Sequence, residues 1–228
     1  AFSCRDLYYD LPGDSDDKRY FLWRYTRALI RDVRLWLAVV ARDHHRRRVA
    51  SGSAHVNDTF RILKSPEYPR HVGALREYFP DATMVFTHRR PSSCIASLAA
   101  LLTDVGGLMY DNIDTYELGK NCVFDAQQLW RRAAAWRSAI PVEEQQKLID
   151  VDNDVLRRDP IGVVKHIYKR AGIEFTDECE REMLAFIAKE KAKKYRNTYK
   201  MEEFGLTDEF VNAEMDFYLR ARRRYLGY

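Results

Sequence analysis

The stretch TMVFTHRRPSSCIASLAALL, residues 83–102, decides the fold class of this chain. Its apolar beginning, TMVFTHR, predicts a buried strand that lacks clean alternation, because both faces of a strand inside a parallel sheet are covered. Pro91 suits the first turn of a helix, so a helix is predicted from Ser92 to about Leu102. Arg89 and Arg90 therefore stand where a strand gives way to a helix.

The segments around this stretch alternate in the same way. TFRILKSPEY predicts a strand ending at Lys64, because Pro66 stops the ladder, and QKLIDVDNDVL predicts a third strand. Helices are predicted over residues 17–40, HVGALREYFPDA, NCVFDAQQLWRRAAAWRSAI, DPIGVVKHIYKRAGI up to Gly172, TDECEREMLAFIAKEKAKKY with Thr176 as N-cap, and from Thr207 to about Tyr225. This order predicts a single α/β domain with a parallel sheet.

The net charge and the hydropathy of the chain indicate which kinds of ligand and environment suit it. A formal charge of +4 in 228 residues suits a small anionic ligand and is too weak to indicate nucleic acid, despite the basic cluster RDHHRRR at residues 42–48. No apolar run is long enough to cross a membrane, and no signal peptide is visible, so we expect a cytoplasmic protein. The chain does not begin with Met, which leaves a membrane-anchored or Golgi-type parent open.

The four cysteines, at positions 4, 94, 122 and 179, follow no metal-binding pattern. Their spacing decides neither for nor against a disulfide, and no metal is expected.

The turn at Arg89 and Arg90, which we call the arginine turn, indicates an anion-binding site. Ligands of open parallel sheets bind at the carboxyl ends of the strands, where helix N-termini offer free N–H groups. Arg89 and Ser97, eight residues apart, could grip one phosphate, and Lys64 could place a point charge on a transferring group. Alternatively, Arg89 pairs with a carboxylate, Ser97 is an ordinary helix residue and Lys64 is a surface lysine. Arg90 is expected to face solvent and His88 to be structural.

Four segments, in order, resemble the sulfotransferases that use 3′-phosphoadenosine 5′-phosphosulfate (PAPS), especially the bacterial-type branch. They are RILKSPEYPRHVGALREYFPDA, TMVFTHRRPSSCIASLAALL, IDVDNDVLRRDPIGVVKHIYKRAGI and YRNTYKMEEFGLT. The resemblance runs from about Thr59 to about Phe210. It implies a P-loop-type parallel sheet with helices on both faces, and a sulfuryl transfer to a hydroxyl or amine of a small molecule or glycan.

The resemblance also implies roles for single residues. Arg89 and Ser97 match the residues that hold the 3′-phosphate of the donor, and Lys64 matches the lysine near the leaving phosphate oxygen. The segment from Arg196 to Tyr199 either folds over the 3′-phosphate or is a packed loop. No metal enters this scheme.

Three departures qualify the resemblance. The Gly-Thr/Ser-rich 5′-phosphosulfate loop is absent, so the first strand and this loop are expected upstream of Ala1. Tyr68 stands where many relatives have a histidine, which leaves Glu67 as the candidate base or as a surface carboxylate. Asn153 replaces the usual aromatic residue of the segment that begins at Ile149.

Several alternatives stay open at this stage. The chain is either a sulfotransferase or a non-catalytic relative that binds nucleotide or another protein, and a nucleic-acid binder is the remote third reading. Helix 17–40 lines the acceptor pocket or belongs to the core. The acceptor and the oligomeric state, including a homo-oligomer, are not determined by the sequence.

Overall fold

The structure, a computed structural model, describes residues 62–108, 112–192 and 199–228. It has two compact units, Ala1–Ala82 and Thr83–Tyr228. The predicted helix over residues 17–40 and the basic cluster at 42–48 lie outside the described residues.

The described part of the first unit is a short helical segment. A 3₁₀ turn, Tyr68–His71, leads into helix α1, Val72–Tyr78. The Arg76 guanidinium donates to the carbonyls of Pro80 and Ala82, which closes the turn after the helix. The helix predicted over HVGALREYFPDA is therefore confirmed over Val72–Tyr78, and a turn follows it at Pro80.

The predicted strand ending at Lys64 is not formed over residues 62–64. Ile62 is 81% exposed, and Leu63 is also exposed. A strand needs hydrogen bonds from a neighbour, and within the described residues the sheet contains two strands that lie elsewhere in the chain. The apolar side chains of Ile62 and Leu63 predicted a buried strand, whereas the structure exposes both of them.

The second unit alternates strands and helices as the sequence predicted, but the predicted strand QKLIDVDNDVL is formed only over Ile149–Asp152, and short helices that were not predicted lie on both sides of it. Its elements are β1 (Val85–His88), α2 (Pro91–Gly106), α3 (Thr115–Ala139), α4 (Val142–Lys147), β2 (Ile149–Asp152), α5 (Asn153–Arg158), α6 (Pro160–Ala171), α7 (Asp177–Ala192), a 3₁₀ turn (Met201–Phe204), α8 (Asp208–Glu214) and α9 (Asp216–Leu226). The helix after the arginine turn is one turn longer than predicted.

Strands β1 and β2 pair in parallel, with Val85 opposite Ile149 and His88 opposite Asp152. The predicted parallel α/β arrangement is confirmed. The prediction of burial on both faces is wrong for β1, because Val85 and Thr87 are exposed while Phe86 and His88 are buried. Parallel pairing fixes the topology, but the cover on each face depends on which helices pack there.

Local signals set most helix ends. Gly172 takes the left-handed conformation (φ 68°) that closes α6, and Thr176 Oγ1 accepts from the Cys179 N–H at the start of α7. Both were predicted. The predicted last helix is instead two helices, because Met215 leaves the helical conformation with φ −106° and ψ 13°. Met215 is 1% exposed, so packing rather than local propensity decides this break.

One apolar core joins α2, α3, the second 3₁₀ turn, α8 and α9. Its buried members are Ile95, Ala99, Cys122, Val123, Phe204, Leu206, Val211, Met215 and Tyr218. Gly119 permits close packing of α3 against the second 3₁₀ turn, since a Cβ there would lie 2.2 Å from the Phe204 carbonyl oxygen. This core holds α2 and α9 in place beside the two strands.

Candidate functional site

The carboxyl ends of the two strands lie side by side. His88 and Asp152 are the last residues of β1 and β2 and are register partners. Arg89 follows the first strand, and Asn153 begins the helix that follows the second. The arginine turn therefore lies at the edge of the sheet where parallel α/β proteins bind ligands.

Arg89 stands directly before the N-cap of α2 and is half-buried. Within the described ranges, no carboxylate lies at ion-pair distance from its guanidinium. The alternative that Arg89 pairs with a carboxylate has no support among the described residues.

The N-terminus of α2 carries no side-chain cap. Arg90 is the N-cap residue and makes no capping hydrogen bond, and Pro91 has no N–H to satisfy. Asp114, Asp152 and Thr207 accept backbone N–H groups at the starts of α3, α5 and α8, whereas α4 and α9 also begin without a side-chain cap. The first N–H groups of α2 are thus left for an anion, which fits a phosphate beside Arg89.

Ser97 lies about two turns into α2 and is half-buried. Its spacing of four from Ser93 puts both hydroxyl groups on one face of the helix. That face is distinct from the buried side of α2, where Ile95 and Ala99 join the core. The structure thus places Arg89 and Ser97 on the same strand–helix unit.

Arg90 is exposed, as predicted, and its Nε atom lies 3.7 Å from Asp154 Oδ2 in a surface ion pair. Such a pair contributes little to stability, because water screens it and two mobile side chains must be ordered.

A buried polar network lies directly behind the turn. His88 is 0% exposed; its Nε2 atom lies 2.7 Å from Asp150 Oδ1 and its Nδ1 atom 3.1 Å from the Tyr218 hydroxyl. Arg137 donates twice to Asp150, at 2.6 and 2.8 Å. Its guanidinium also stacks 3.6 Å from the centroid of the Tyr225 ring. His88 is structural, as predicted, and too buried to touch a ligand.

The charge of Asp150 is stabilised by this network. Burial by itself raises the pKa of a carboxyl group, but the hydrogen bonds from Arg137 and His88 outweigh it and hold the Asp150 pKa below its ordinary value. Asp150 is therefore an ionised acceptor, which assigns the proton on His88 Nε2 as the donor of their bond.

Asp152 ends β2 with more partners than a polar strand end needs. It caps α5 by accepting the Asp154 N–H at 2.8 Å, and it accepts from Arg222 at 3.0 Å and from the Tyr228 hydroxyl. Burial raises the pKa of Asp152, but these hydrogen bonds and the Arg222 charge lower it by more, so the net shift of the pKa is downward. Helix α9 is thereby attached to the carboxyl edge of the sheet.

The two candidate catalytic residues lie in the first unit. Lys64 is exposed, and no described residue forms an ion pair with it. Glu67 is exposed and accepts from Arg70 Nε at 3.0 Å. Three positions separate Lys64 from Glu67, on the turn that precedes α1. Their roles stay predictions.

The closing segment is divided by what the structure describes. Arg196 lies outside the described residues, while Tyr199 packs against the apolar core. The packing of Tyr199 agrees with the packed-loop alternative, and a role at the nucleotide stays a prediction.

The same described ranges contain neither a metal-binding cluster nor a disulfide. No group of His, Cys, Asp and Glu side chains there could hold a metal ion, and Cys94, Cys122 and Cys179 are free thiols. Cys4 is not described. No helix among the described residues is long and apolar enough to cross a membrane.

Sequence reasoning missed the partners of Asp150. The sequence signal that could have indicated these partners is the strand IDVD, because it puts the Asp150 carboxylate inside a buried strand. A buried charge requires a partner, so this pattern could have indicated a buried arginine or histidine. It could not have identified Arg137 on a helix 13 residues earlier in the chain.

Comparison with known proteins gives one consistent result. A family model described as "Sulfotransferase family" matches residues 14–177, more than half of the chain. The sulfotransferase STF9 from Mycobacterium avium is 28% identical, with a TM-score of 0.61, over 70% of this chain and 41% of its own. The sulfotransferase STF1 from Mycobacterium tuberculosis shares the fold, with 24% identity, a TM-score of 0.52 and coverage of 67% and 38%.

The chain thus spans about two fifths of the length of these two solved structures. Comparison with curated proteins gives no match.

Proposed function

Because this chain belongs to the sulfotransferase family, we propose that its arginine turn binds the 3′-phosphate of PAPS and that it serves sulfuryl transfer to a hydroxyl or amine. The observation that carries the proposal is the pairing of a half-buried Arg89, free of described carboxylates, with an uncapped helix N-terminus. A phosphate there would receive an arginine fork and backbone N–H groups together.

Sulfuryl transfer asks the protein for position and charge. The acceptor atom forms a bond to sulfur, the bond from sulfur to the bridging phosphate oxygen breaks, and the acceptor proton passes to a base. Arg89 and Ser97 would hold the nucleotide end of the donor, so that the sulfur lies in line with the acceptor. Lys64 would offset the negative charge that grows on the bridging oxygen, and Glu67 would take the proton.

The fit to PAPS covers one half of the donor. Arg89, Ser97 and the N-terminus of α2 would hold the 3′-phosphate of the donor. A second candidate function that uses this half of the donor alone is a nucleotide-binding or interaction module without transfer activity. The acceptor in the first case is a small molecule or a glycan.

Titration calorimetry with adenosine 3′,5′-bisphosphate, the desulfonated product of PAPS, tests the proposal. We expect it to bind at least tenfold more tightly than adenosine 5′-monophosphate, because only the bisphosphate carries the group that Arg89 would contact. Equal affinities for the two nucleotides in the folded chain would contradict the assignment of the turn. Sulfation of a model phenol with PAPS then separates transfer from binding alone.

Replacement of Lys64 by alanine separates a catalytic role from a binding role. If Lys64 acts on charge that develops during transfer, turnover should fall at least tenfold while the affinity for adenosine 3′,5′-bisphosphate changes less than threefold. Turnover is measured under saturating PAPS in a preparation with transfer activity. Lys200, which is also exposed, provides a matched lysine control. Equal losses in turnover and affinity would mean that Lys64 only holds the donor.

A further inference from the structure

Directly behind the proposed phosphate site, the residue before Arg89 is held in place by the C-terminal helix. His88 is fully buried, and its Nδ1 atom meets the hydroxyl of Tyr218, which lies 130 residues away on α9. Tyr218 itself is 3% exposed and belongs to the apolar core. A contact of this kind joins the end of β1 to an element that the family-model match, residues 14–177, does not include.

Both ring nitrogens of His88 have a hydrogen-bond partner. Asp150 is ionised and can only accept, so His88 Nε2 donates to it. At the other nitrogen, His88 Nδ1 and the Tyr218 hydroxyl form a hydrogen bond of 3.1 Å, in which the hydroxyl can donate to a bare nitrogen or accept from a protonated one. Burial raises the Tyr218 pKa, so the hydroxyl keeps its proton.

The ring is also held by packing. Its centroid lies 5.6 Å from that of Trp130, 5.8 Å from that of Tyr225 and 6.1 Å from that of Tyr218. Trp130 belongs to α3, whereas the two tyrosines belong to α9. An imidazole enclosed by rings and bonded at both nitrogens has one orientation, and this fixes the backbone from which the next residue leaves the strand.

We propose that His88 is a positioning residue for Arg89, and that the Tyr218 hydroxyl on α9 sets it. The buried contacts of His88 fix the carboxyl end of β1, so the Arg89 backbone presents its guanidinium to the N-terminus of α2 in one direction. This inference rests on the proposed function for its ligand, but the positioning itself is a property of the protein alone.

Removal of one hydroxyl group, Tyr218→Phe, tests the inference. Phenylalanine keeps the ring in the core and removes only the hydroxyl that bonds to His88 Nδ1, so the fold should persist. Tyr116→Phe, at a tyrosine that is 59% exposed, is the matched control. A second variant, His88→Gln, keeps an amide N–H for Asp150 without the imidazole Nδ1 atom, and we expect it to behave like Tyr218→Phe.

The first readout needs no ligand. The backbone N–H order parameter of Arg89, from ¹⁵N relaxation, should be about 0.85 in the wild type and fall below about 0.7 in Tyr218→Phe, while the control stays at the wild-type value. An unchanged order parameter at Arg89 in both network variants would overturn the inference, whatever the nucleotide affinity.

The second readout is a double-mutant cycle with adenosine 3′,5′-bisphosphate. Tyr218→Phe should weaken binding about fivefold in the wild-type background and leave it unchanged in the Arg89→Ala background, because the hydroxyl acts through Arg89. Equal weakening in both backgrounds would mean general loosening and would overturn the inference. If Arg89 loses order but the wild type binds no nucleotide, the positioning stands and the proposed donor assignment fails.

Discussion

Replacement of Arg89 by alanine is expected to weaken the binding of adenosine 3′,5′-bisphosphate about 30-fold, or about 2 kcal/mol, the loss typical of a hydrogen-bonded charge. The guanidinium has no described carboxylate partner, so its removal leaves no unpaired protein charge. The loss then reports its contact with the ligand. Titration calorimetry of both proteins gives the two dissociation constants.

Two controls restrict this result to the 3′-phosphate. Arg90→Ala removes the neighbouring arginine, which is 70% exposed and paired with Asp154, and should change affinity less than threefold. Adenosine 5′-monophosphate should bind wild type and Arg89→Ala equally, because it lacks the group in question. The assignment of Arg89 to the 3′-phosphate is wrong if Arg89→Ala binds the bisphosphate as tightly as the wild type does.

Replacement of Asp150 by alanine is expected to lower the free energy of unfolding by about 3–5 kcal/mol, the cost typical of removing one partner from a buried ion pair. The change would leave Arg137, which is 5% exposed, without the carboxylate that accepts two of its hydrogen bonds. His88 Nε2 would lose its acceptor as well. Urea unfolding followed by circular dichroism measures the difference.

Asp154→Ala is the matched control for this change. Asp154 pairs with Arg90 at the surface, so its loss should cost at most about 1 kcal/mol. Similar free energies of unfolding for Asp150→Ala and the wild type would show that the network contributes no net stability.

Acidification should weaken the same network. The Asp150 pKa is lowered in the folded state, so its contribution is present above the ordinary aspartate pKa of about 3.9 and is lost as the pH falls through the folded value. The free energy of unfolding should therefore fall below about pH 4. Asp150→Asn should show a shallower fall over the same range, and an identical pH dependence would contradict this account.

The comparison between sequence and structure differs from element to element. The strand over Val85–His88, the helix from Pro91 and the caps at Gly172 and Thr176 were all predicted, because each depends on residues within one turn or one strand. The strand ending at Lys64 was not confirmed over residues 62–64, since pairing requires a neighbour that local sequence cannot supply. The break at Met215 was missed for a similar reason, because burial of that side chain decides it.

The features of the candidate site also differ in whether local sequence could predict them. The arginine turn could be predicted, because Arg89, Pro91 and Ser97 lie in one continuous strand–helix segment. The absence of a described carboxylate beside Arg89 could not be predicted, since any acidic residue of the chain was an available partner. The bare N-terminus of α2 was likewise visible only once the structure showed that Arg90 makes no cap.

By itself, the sequence determined a parallel α/β fold, the place of the arginine turn and its likeness to sulfotransferases. Only the tertiary structure decided that His88 joins Asp150, 62 residues away, and Tyr218, 130 residues away, directly behind that turn. Local signals act through the backbone over a few residues, whereas the partner of a buried polar group is chosen by how distant elements pack.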